Sequence, residues 1–394
     1  MTKKNISSTL KGNFRQYGMV FALILIIALF QILTSGRLLM PLNVTNLILQ
    51  NGYILILAIG MLPVIVTGRI DLSFGSIVAF VGGIAAIMIV SMKIAFIPTI
   101  IICLLTGALI GCWNGFWISV INVPAFITTL ASMLIFRGLT IAFLRGNTIG
   151  PFTSVFRAIS SKFVPDFFNG KTNLGGKINL TAVIAGLALC VIFILGEIKS
   201  QKVTKKYGFT ATPLWFSMIK VGLICFAIMA FFYTLGAYEG IPYLLVLLLV
   251  LVVLYSFIMN KTVIGRRIYA LGGNEAAAKL SGVNTNRLVF LTNINMGVLS
   301  AIAGIVFAAR LNAGTPKAGS GFELDAIAAC FIGGASVYGG IGTIAGAILG
   351  TFIMGVMNNG MSILGISADY QQAIKGLVIL FAVASDIIAK NRQK

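Results

Sequence analysis

The sequence contains no histidine, and only 9 of its 394 residues are acidic. Without histidine the chain lacks the commonest general base and metal ligand. Charged residues of either sign make up 10%, where a soluble domain carries about 25%. None of the five cysteines, Cys103, Cys112, Cys190, Cys225 and Cys330, belongs to a CxxC pair. All lie in apolar stretches, as small packed hydrophobes do. No GxxxxGK[ST] phosphate loop is present, so ATP hydrolysis is not expected of this chain. No small-x-small cleavage site follows the first apolar run, Tyr17 to Thr34, which reads as a signal anchor. Together these absences argue against a cytosolic enzyme, a nucleic-acid-binding domain and a disordered tail. No metal or cofactor is expected.

What is present is apolar. Hydrophobic residues reach 58%, more than a soluble fold can place inside, so lipid must be the solvent for much of the surface. Twelve segments read as spans: about 17–34, 46–67, 72–92, 95–120, 125–144, 179–196, 213–235, 241–260, 289–312, 325–340, 341–363 and 370–388. The tenth is short and glycine-rich, which suits a broken or re-entrant helix. The expected fold is an all-α polytopic membrane protein with ten to twelve transmembrane segments, forming one domain over 1–394.

The net charge of +20 comes from 29 basic residues. With the N-terminus in the cytoplasm, seventeen of them face inward: Lys3, Lys4, Lys11, Arg15, Arg69, Lys199, Lys202, Lys205, Lys206, Lys261, Arg266, Arg267, Lys279, Arg287, Lys390, Arg392 and Lys394. Nine face outward, five of them in the loop 145–178, and Arg137, Lys220 and Lys375 fall within spans. The bias predicts a membrane protein with both termini cytoplasmic, its basic residues meeting anionic lipid rather than nucleic acid.

Two regions repeat. Thr106-Gly-Ala-Leu-Ile-Gly111 resembles Ala345-Gly-Ala-Ile-Leu-Gly350. Upstream, Asp71 precedes Gly82-Gly83 as Glu323 and Asp325 precede Gly333-Gly334, and downstream Phe136-Arg-Gly-Leu139 echoes Ile374-Lys-Gly-Leu377. In the expected topology the copies run in opposite directions. That predicts an inverted repeat of two five-helix halves, with cores at 46–144 and 289–390 and an inserted helix pair within 145–235. Transporters commonly place the solute path between such halves.

The longest polar stretch between two strong spans is 261–288, expected on the cytoplasmic side. Gly272-Gly273 breaks the chain, Asn274 can cap a short helix, Glu275 occupies its first turn and Gly282 can end it. Ala276, Ala277 and Ala278 offer a smooth face to a partner. This stretch, GRRIYALGGNEAAAKLSGV, resembles the cytoplasmic coupling loop of the ribose/xylose-type permeases, the membrane subunits of bacterial ABC monosaccharide importers. Gly68–Ser76 (GRIDLSFGS) and Gly321–Gly350 agree with it, and the length and inserted helix pair are closest to the xylose branch. The resemblance covers roughly 45–145 and 240–390. One departure is that four residues, not three, separate Glu275-Ala-Ala277 from Gly282.

The resemblance implies a non-catalytic permease subunit for a monosaccharide, xylose or a related pentose. It also implies a separate ATPase subunit, an extracellular sugar-binding protein and a homodimer of permease chains. Coupling to the ATPase would fall on Gly272, Gly273, Asn274, Glu275, Ala276, Ala277 and Gly282. Polar residues in spans mark candidate path residues, because charge at mid-membrane costs about 2.5–3.5 kcal/mol on insertion scales. Neutral amides exchange hydrogen bonds with a sugar without adding charge, which points to Asn114, Asn293, Asn295, Asn358, Asn359 and Gln371. Trp113 and Trp117, one turn apart, read as packing residues. Asp71 is expected to cap the third span and to stay ionised beside Arg69, which argues against proton coupling. The rival classes are a branched-chain amino-acid permease of the same superfamily, an ion-coupled symporter, which needs intramembrane carboxylates or histidines, and a membrane-embedded enzyme, which needs clustered Asp, His or Cys.

Overall fold

The computed structural model describes residues 3–168, 178–207 and 213–391. Of the residues expected to set orientation, Lys171, Lys177, Arg392 and Lys394 lie outside them. In chain order the helices are α1 (Lys3–Leu33), α2 (Pro41–Val66), α3 (Phe74–Ala86, continued by a π turn over Ile87–Ser91), α4 (Phe96–Ser119), α5 (Ala125–Leu144), α6 (Ser154–Ser161), α7 (Leu180–Lys206) and α8 (Leu214–Gly236). The second part adds α9 (Tyr243–Lys261), α10 (Val263–Gly273), α11 (Glu275–Leu280), α12 (Thr285–Leu311), α13 (Phe322–Ile332), α14 (Ile344–Ile363) and α15 (Ala368–Asn391). Among the described residues, β-pairing is confined to two isolated bridges, Ile149 with Gly314 and Phe163 with Pro242.

Local chemistry sets many helix starts. Pro124, Pro213 and Pro242 immediately precede α5, α8 and α9, where a fixed φ and a missing N–H do no harm. The side chains of Asn179, Thr262, Asn284 and Thr343 accept from the first-turn amides of α7, α10, α12 and α14. Among the described residues, nine helices are long and apolar enough to cross a bilayer: α2, α3 with its π turn, α4, α5, α7, α8, α9, α12 and α14. Each coincides with an expected segment, and the chain is a multi-pass, all-α membrane protein.

Burial separates centre from periphery. In α2, 89% of the most apolar window is covered by the protein, against 17% in α7 and 11% in α8. Helices α7 and α8 therefore pack on each other and leave most of their apolar surface uncovered by the protein. At the centre α2 packs against α12. Around them α3 and α4 lie on α12, while α13 and α14 lie on α2.

The expected tenth segment, 325–340, is broken, as its short glycine-rich sequence suggested, and its helix stops short of the expected end. Its helix, α13, ends at Ile332. Eleven residues rise only about 16 Å, half of a ~30 Å hydrocarbon core. The chain reaches it through an irregular stretch, 312–321, that runs beside α3, with Gly314 against Gly82 and Gly83, and Gly319 against Gly75. Irregular backbone at that depth requires partners within the protein. Arg137 of α5 supplies some of them, its Nη1 donating to Pro316 O (3.2 Å) and Ala318 O (2.6 Å).

Candidate functional site: a polar cavity and the elbow beneath it

The half-helix α13 begins in the wall of a cavity of about 360 Å³, within the range of small-molecule sites. Its lining comes from α2 (Gln50, Asn51, Tyr53), the end of α12 (Arg310), the start of α13 (Phe322, Asp325), α14 (Asn358, Asn359) and α15 (Gln371, Gln372, Lys375). Tyr53 stacks on Phe322 with ring centroids 4.1 Å apart, and Phe307 meets both rings edge-on. Lys375 Nζ lies 3.0 Å from Asp325 Oδ1 and 3.2 Å from Oδ2, joining α15 to α13. Arg310 Nη1 donates to Gln50 O at 3.3 Å. An aromatic platform edged by amides and both signs of charge suits a small solute with apolar faces and many hydroxyls. A second cavity, about 140 Å³ between α2, α9 and α14, is lined almost entirely by apolar side chains and offers no such chemistry.

Three of the six amides singled out above line the polar cavity: Asn358, Asn359 and Gln371. Asn359 pairs with Asn43 in both directions (2.8 and 3.1 Å), and Gln371 Nε2 donates to Ile366 O (2.8 Å). The other three are engaged elsewhere. Asn114 donates to Ser73 Oγ (2.8 Å) and accepts from Ser132 Oγ (2.6 Å). Asn293 donates to Val289 O (2.8 Å) where α12 meets Gly111 of α4, and Asn295 accepts from Tyr255 Oη. Outside the cavity, Lys220 pairs with Glu197 across the inserted helices at 2.9 Å. Trp113 and Trp117 pack edge to face, with Trp113 exposed at the surface.

Lys375 stands out in the sequence as a charge within a span, whereas Tyr53, Phe322 and Arg310 do not stand out as path residues. The signals lay in the Gln50-Asn51 pair within an otherwise apolar span and in the polar start of α13.

At the other end of α13 the chain forms an elbow. Helix α10 runs through Gly272 and Gly273, so the chain break falls at Asn274, whose backbone is extended. Asn274 caps α11 by accepting from Ala277 N (3.0 Å). Gly282, at φ +82°, closes α11 with Val283 N bonded to Ala278 O and its own N–H to Lys279 O, a left-handed C-terminal cap. Ala276 and Ala277 are exposed, whereas Ala278 is buried, and Leu280 is 91% exposed. The free apolar surface of the elbow is therefore two alanines and a leucine, not three alanines.

The elbow is docked tightly. A Cβ on Gly272 would overlap Val66 O and crowd Gly340 N. Gly340 N donates to Val66 O (2.8 Å), and Tyr269 Oη donates to Gly342 O (2.6 Å). Arg69 Nη2 contacts both Glu275 carboxylate oxygens at 3.2 Å. The loop after α13, the loop before α3 and the elbow thus meet at one point.

The expected Asp71–Arg69 pairing is therefore corrected: Arg69 turns to Glu275 and to Thr67 O. Asp71 instead accepts from Ser73 N (2.7 Å) and Ser73 Oγ (2.6 Å), at the head of the buried Ser73–Asn114–Ser132 chain. It braces the loop before α3 rather than capping that helix. Burial pushes its carboxyl above the usual carboxylate range, opposed by the two Ser73 hydrogen bonds.

The profile of a family described as "Branched-chain amino acid transport system / permease component" matches residues 43–383. The chain is 37% identical to the xylose transport system permease protein XylH of Haemophilus influenzae over 96% of its length and 98% of the relative's. It is 37% identical to XylH of Escherichia coli K12 (96% and 93%) and 33% identical to the ribose import permease protein RbsC of Bacillus subtilis (95% and 94%). No solved structure matches.

Proposed function

Since the chain belongs to the family of branched-chain amino acid transport system permease components, and resembles xylose and ribose permeases along most of its length, we propose that it is the membrane-spanning subunit of an ATP-driven monosaccharide importer. Its cargo is a pentose, xylose or a close relative, and the polar cavity at the start of α13 is the site through which that sugar passes. The observation that carries the assignment is the cavity itself: amides, an ion pair and an aromatic platform converge where a helix is interrupted in the membrane, the place where transporter folds bind solute. An extracellular binding protein delivers the sugar, a separate ATPase supplies the energy, and two permease chains pair within the bilayer, with anionic lipid around the basic loops. Both termini face the cytoplasm. Asn114, Asn293 and Asn295 act as helix-packing groups, while Asn358, Asn359 and Gln371 face the passing sugar.

The chain performs no covalent chemistry; its contribution is a coupled movement. The ATPase engages the elbow at Ala276, Ala277 and Leu280. Displacement there acts on the loop following α13 through Tyr269–Gly342 and Gly272–Gly340, and on the loop preceding α3 through Glu275–Arg69. Because α13 is a single rigid rod, movement of its lower end alters the cavity at its upper end. Spans 46–144 and 289–390 act as the two halves of an inverted repeat between which this opening alternates.

The test is uptake in proteoliposomes containing the permease, its ATPase and the binding protein. ATP-dependent accumulation of xylose or ribose, absent without the ATPase, is expected. Accumulation of leucine instead, or of sugar driven by a proton gradient without the ATPase, would overturn the assignment.

A further inference from the structure

We propose that Asp325 and Lys375 form the specificity pair of this cavity. They hold two neighbouring hydroxyls of a neutral sugar, and the Asp325 carboxylate turns away solutes that carry a carboxylate of their own. The inference rests on the reading that the sugar occupies this cavity. The two residues come from different helices, α13 and α15, and lie side by side in its wall. The ammonium has three N–H donors and an ionised carboxylate has about four acceptor positions. The contacts between them leave capacity on both. A sugar diol supplies what such a pair lacks, one hydroxyl donating to Asp325 and its neighbour accepting from Lys375.

Geometry beside the pair agrees. Phe322 lies three residues before Asp325 and, stacked on Tyr53, offers an apolar surface for the C–H face of the ring. Arg310 adds a second cation to the lining. If Asp325 loses its charge, the wall holds two cations and no anion, and an acidic sugar becomes the better guest. Rejection of the wrong solute by a fixed like charge is how many sites gain selectivity.

The experiment is equilibrium binding of radiolabelled xylose and of xylonate, its aldonic acid, to the purified permease–ATPase complex. The variants are Asp325→Asn, Asp325→Asn with Lys375→Met, and Gly376→Trp. Asp325→Asn is expected to weaken xylose binding by about 10-fold or more, as for the loss of a hydrogen bond to a charged group, and to shift the xylonate-to-xylose preference at least about 10-fold toward xylonate. The double variant leaves neither charge of the pair behind. It should melt near the wild-type temperature yet bind xylose about 10-fold more weakly. Wild-type xylose affinity in the double variant would show that the pair only fastens α13 to α15, and an unchanged preference in Asp325→Asn would remove the selectivity role. Gly376 lines the same cavity with open space around its Cα, so a tryptophan there should block binding. Normal xylose binding and uptake in Gly376→Trp would overturn the cavity assignment itself. A block there with pair variants that bind as wild type would overturn the pair alone.

Discussion

Helices α3 and α13 begin alike and end differently. Each follows an irregular stretch, has an acidic residue at or near its start and meets a Gly-Gly pair about ten residues on. In α3 the pair, Gly82-Gly83, lies inside the helix, which continues through a π turn to Ser91. In α13 the pair, Gly333-Gly334, ends it. The sequence downstream decides. Ile-Ala-Ala-Ile-Met-Ile-Val follows Gly83, apolar throughout and compatible with helix. Ala-Ser-Val-Tyr-Gly-Gly-Ile-Gly follows Gly334, and Gly334, Gly339 and Gly340 all take positive φ. The acidic residues diverge as well: Asp71 is sealed within a hydroxyl–amide chain, whereas Asp325 meets a cation in a cavity wall. A repeated motif therefore supplies one acidic residue sealed in a packed chain and one that lines a polar cavity. Near-symmetry of sequence does not carry over to symmetry of chemistry.

The largest effect is expected where the repeated glycines pack. In α4, Gly111 lies on the backbone of Asn293 and Ile294 in α12, while in α14 its counterpart Gly350 lies on Ala329 O of α13. Leucine at either position must push a helix backbone aside. Each variant should lose about 3 kcal/mol, the upper end for overpacking, read as a lower melting temperature of the detergent-solubilised protein. Gly222→Leu, where a Cβ meets nothing, should melt at or above the wild-type temperature. A wild-type melt for Gly350→Leu would mean that α14 does not hold α13 as described.

A smaller effect should reverse sign between the two Gly-Gly pairs. Gly334→Ala forces an L-residue to φ +81° and should destabilise by about 1 kcal/mol. Gly82 is helical, and its added methyl would make an ordinary 3.4 Å contact with Ala308 Cβ. Gly82→Ala should therefore stabilise by up to about 1 kcal/mol through helix propensity. The same melts measure both. Equal signs would show that the two pairs serve one purpose.

Much of this was legible in sequence. Hydropathy located the nine helices that are long and apolar enough to cross a bilayer among the described residues, and Asn274, Glu275 and Gly282 announced a capped helix at the elbow. What hydropathy could not separate was an amide that fastens two helices from one that faces a cavity. Asn293 and Asn358 look alike as residues, and only packing assigns the first to the α4–α12 contact. Pairings across long intervals were also hidden. Arg69 stands two residues from Asp71 yet binds Glu275, 206 positions away, because the loop before α3 and the elbow are brought together by α2 and α13. Asp325 and Lys375, 50 positions apart, meet where α13 packs on α15.

That Arg69–Glu275 pair gives the smallest stability effect and the sharpest test of the elbow. Its side chains are 22% and 52% exposed, and ion pairs of that exposure contribute about 0–1 kcal/mol. Charge reversal at Glu275 should thus shift the melting temperature by no more than a few degrees. Its effect on coupling should be larger, because Arg69 would meet a like charge where α11 docks on the loop before α3. Sugar uptake and the stimulation of ATPase activity by loaded binding protein should fall in Glu275→Arg. Arg69→Glu combined with Glu275→Arg restores the attraction with its polarity exchanged, and should recover much of the lost stimulation if the bond between loop and elbow is what transmits the movement. A double variant as uncoupled as Glu275→Arg, with an unchanged melt, would instead assign Glu275 to the ATPase surface. The Tyr269–Gly342 contact would then be left to carry the movement to α13 without a partner bond at α3.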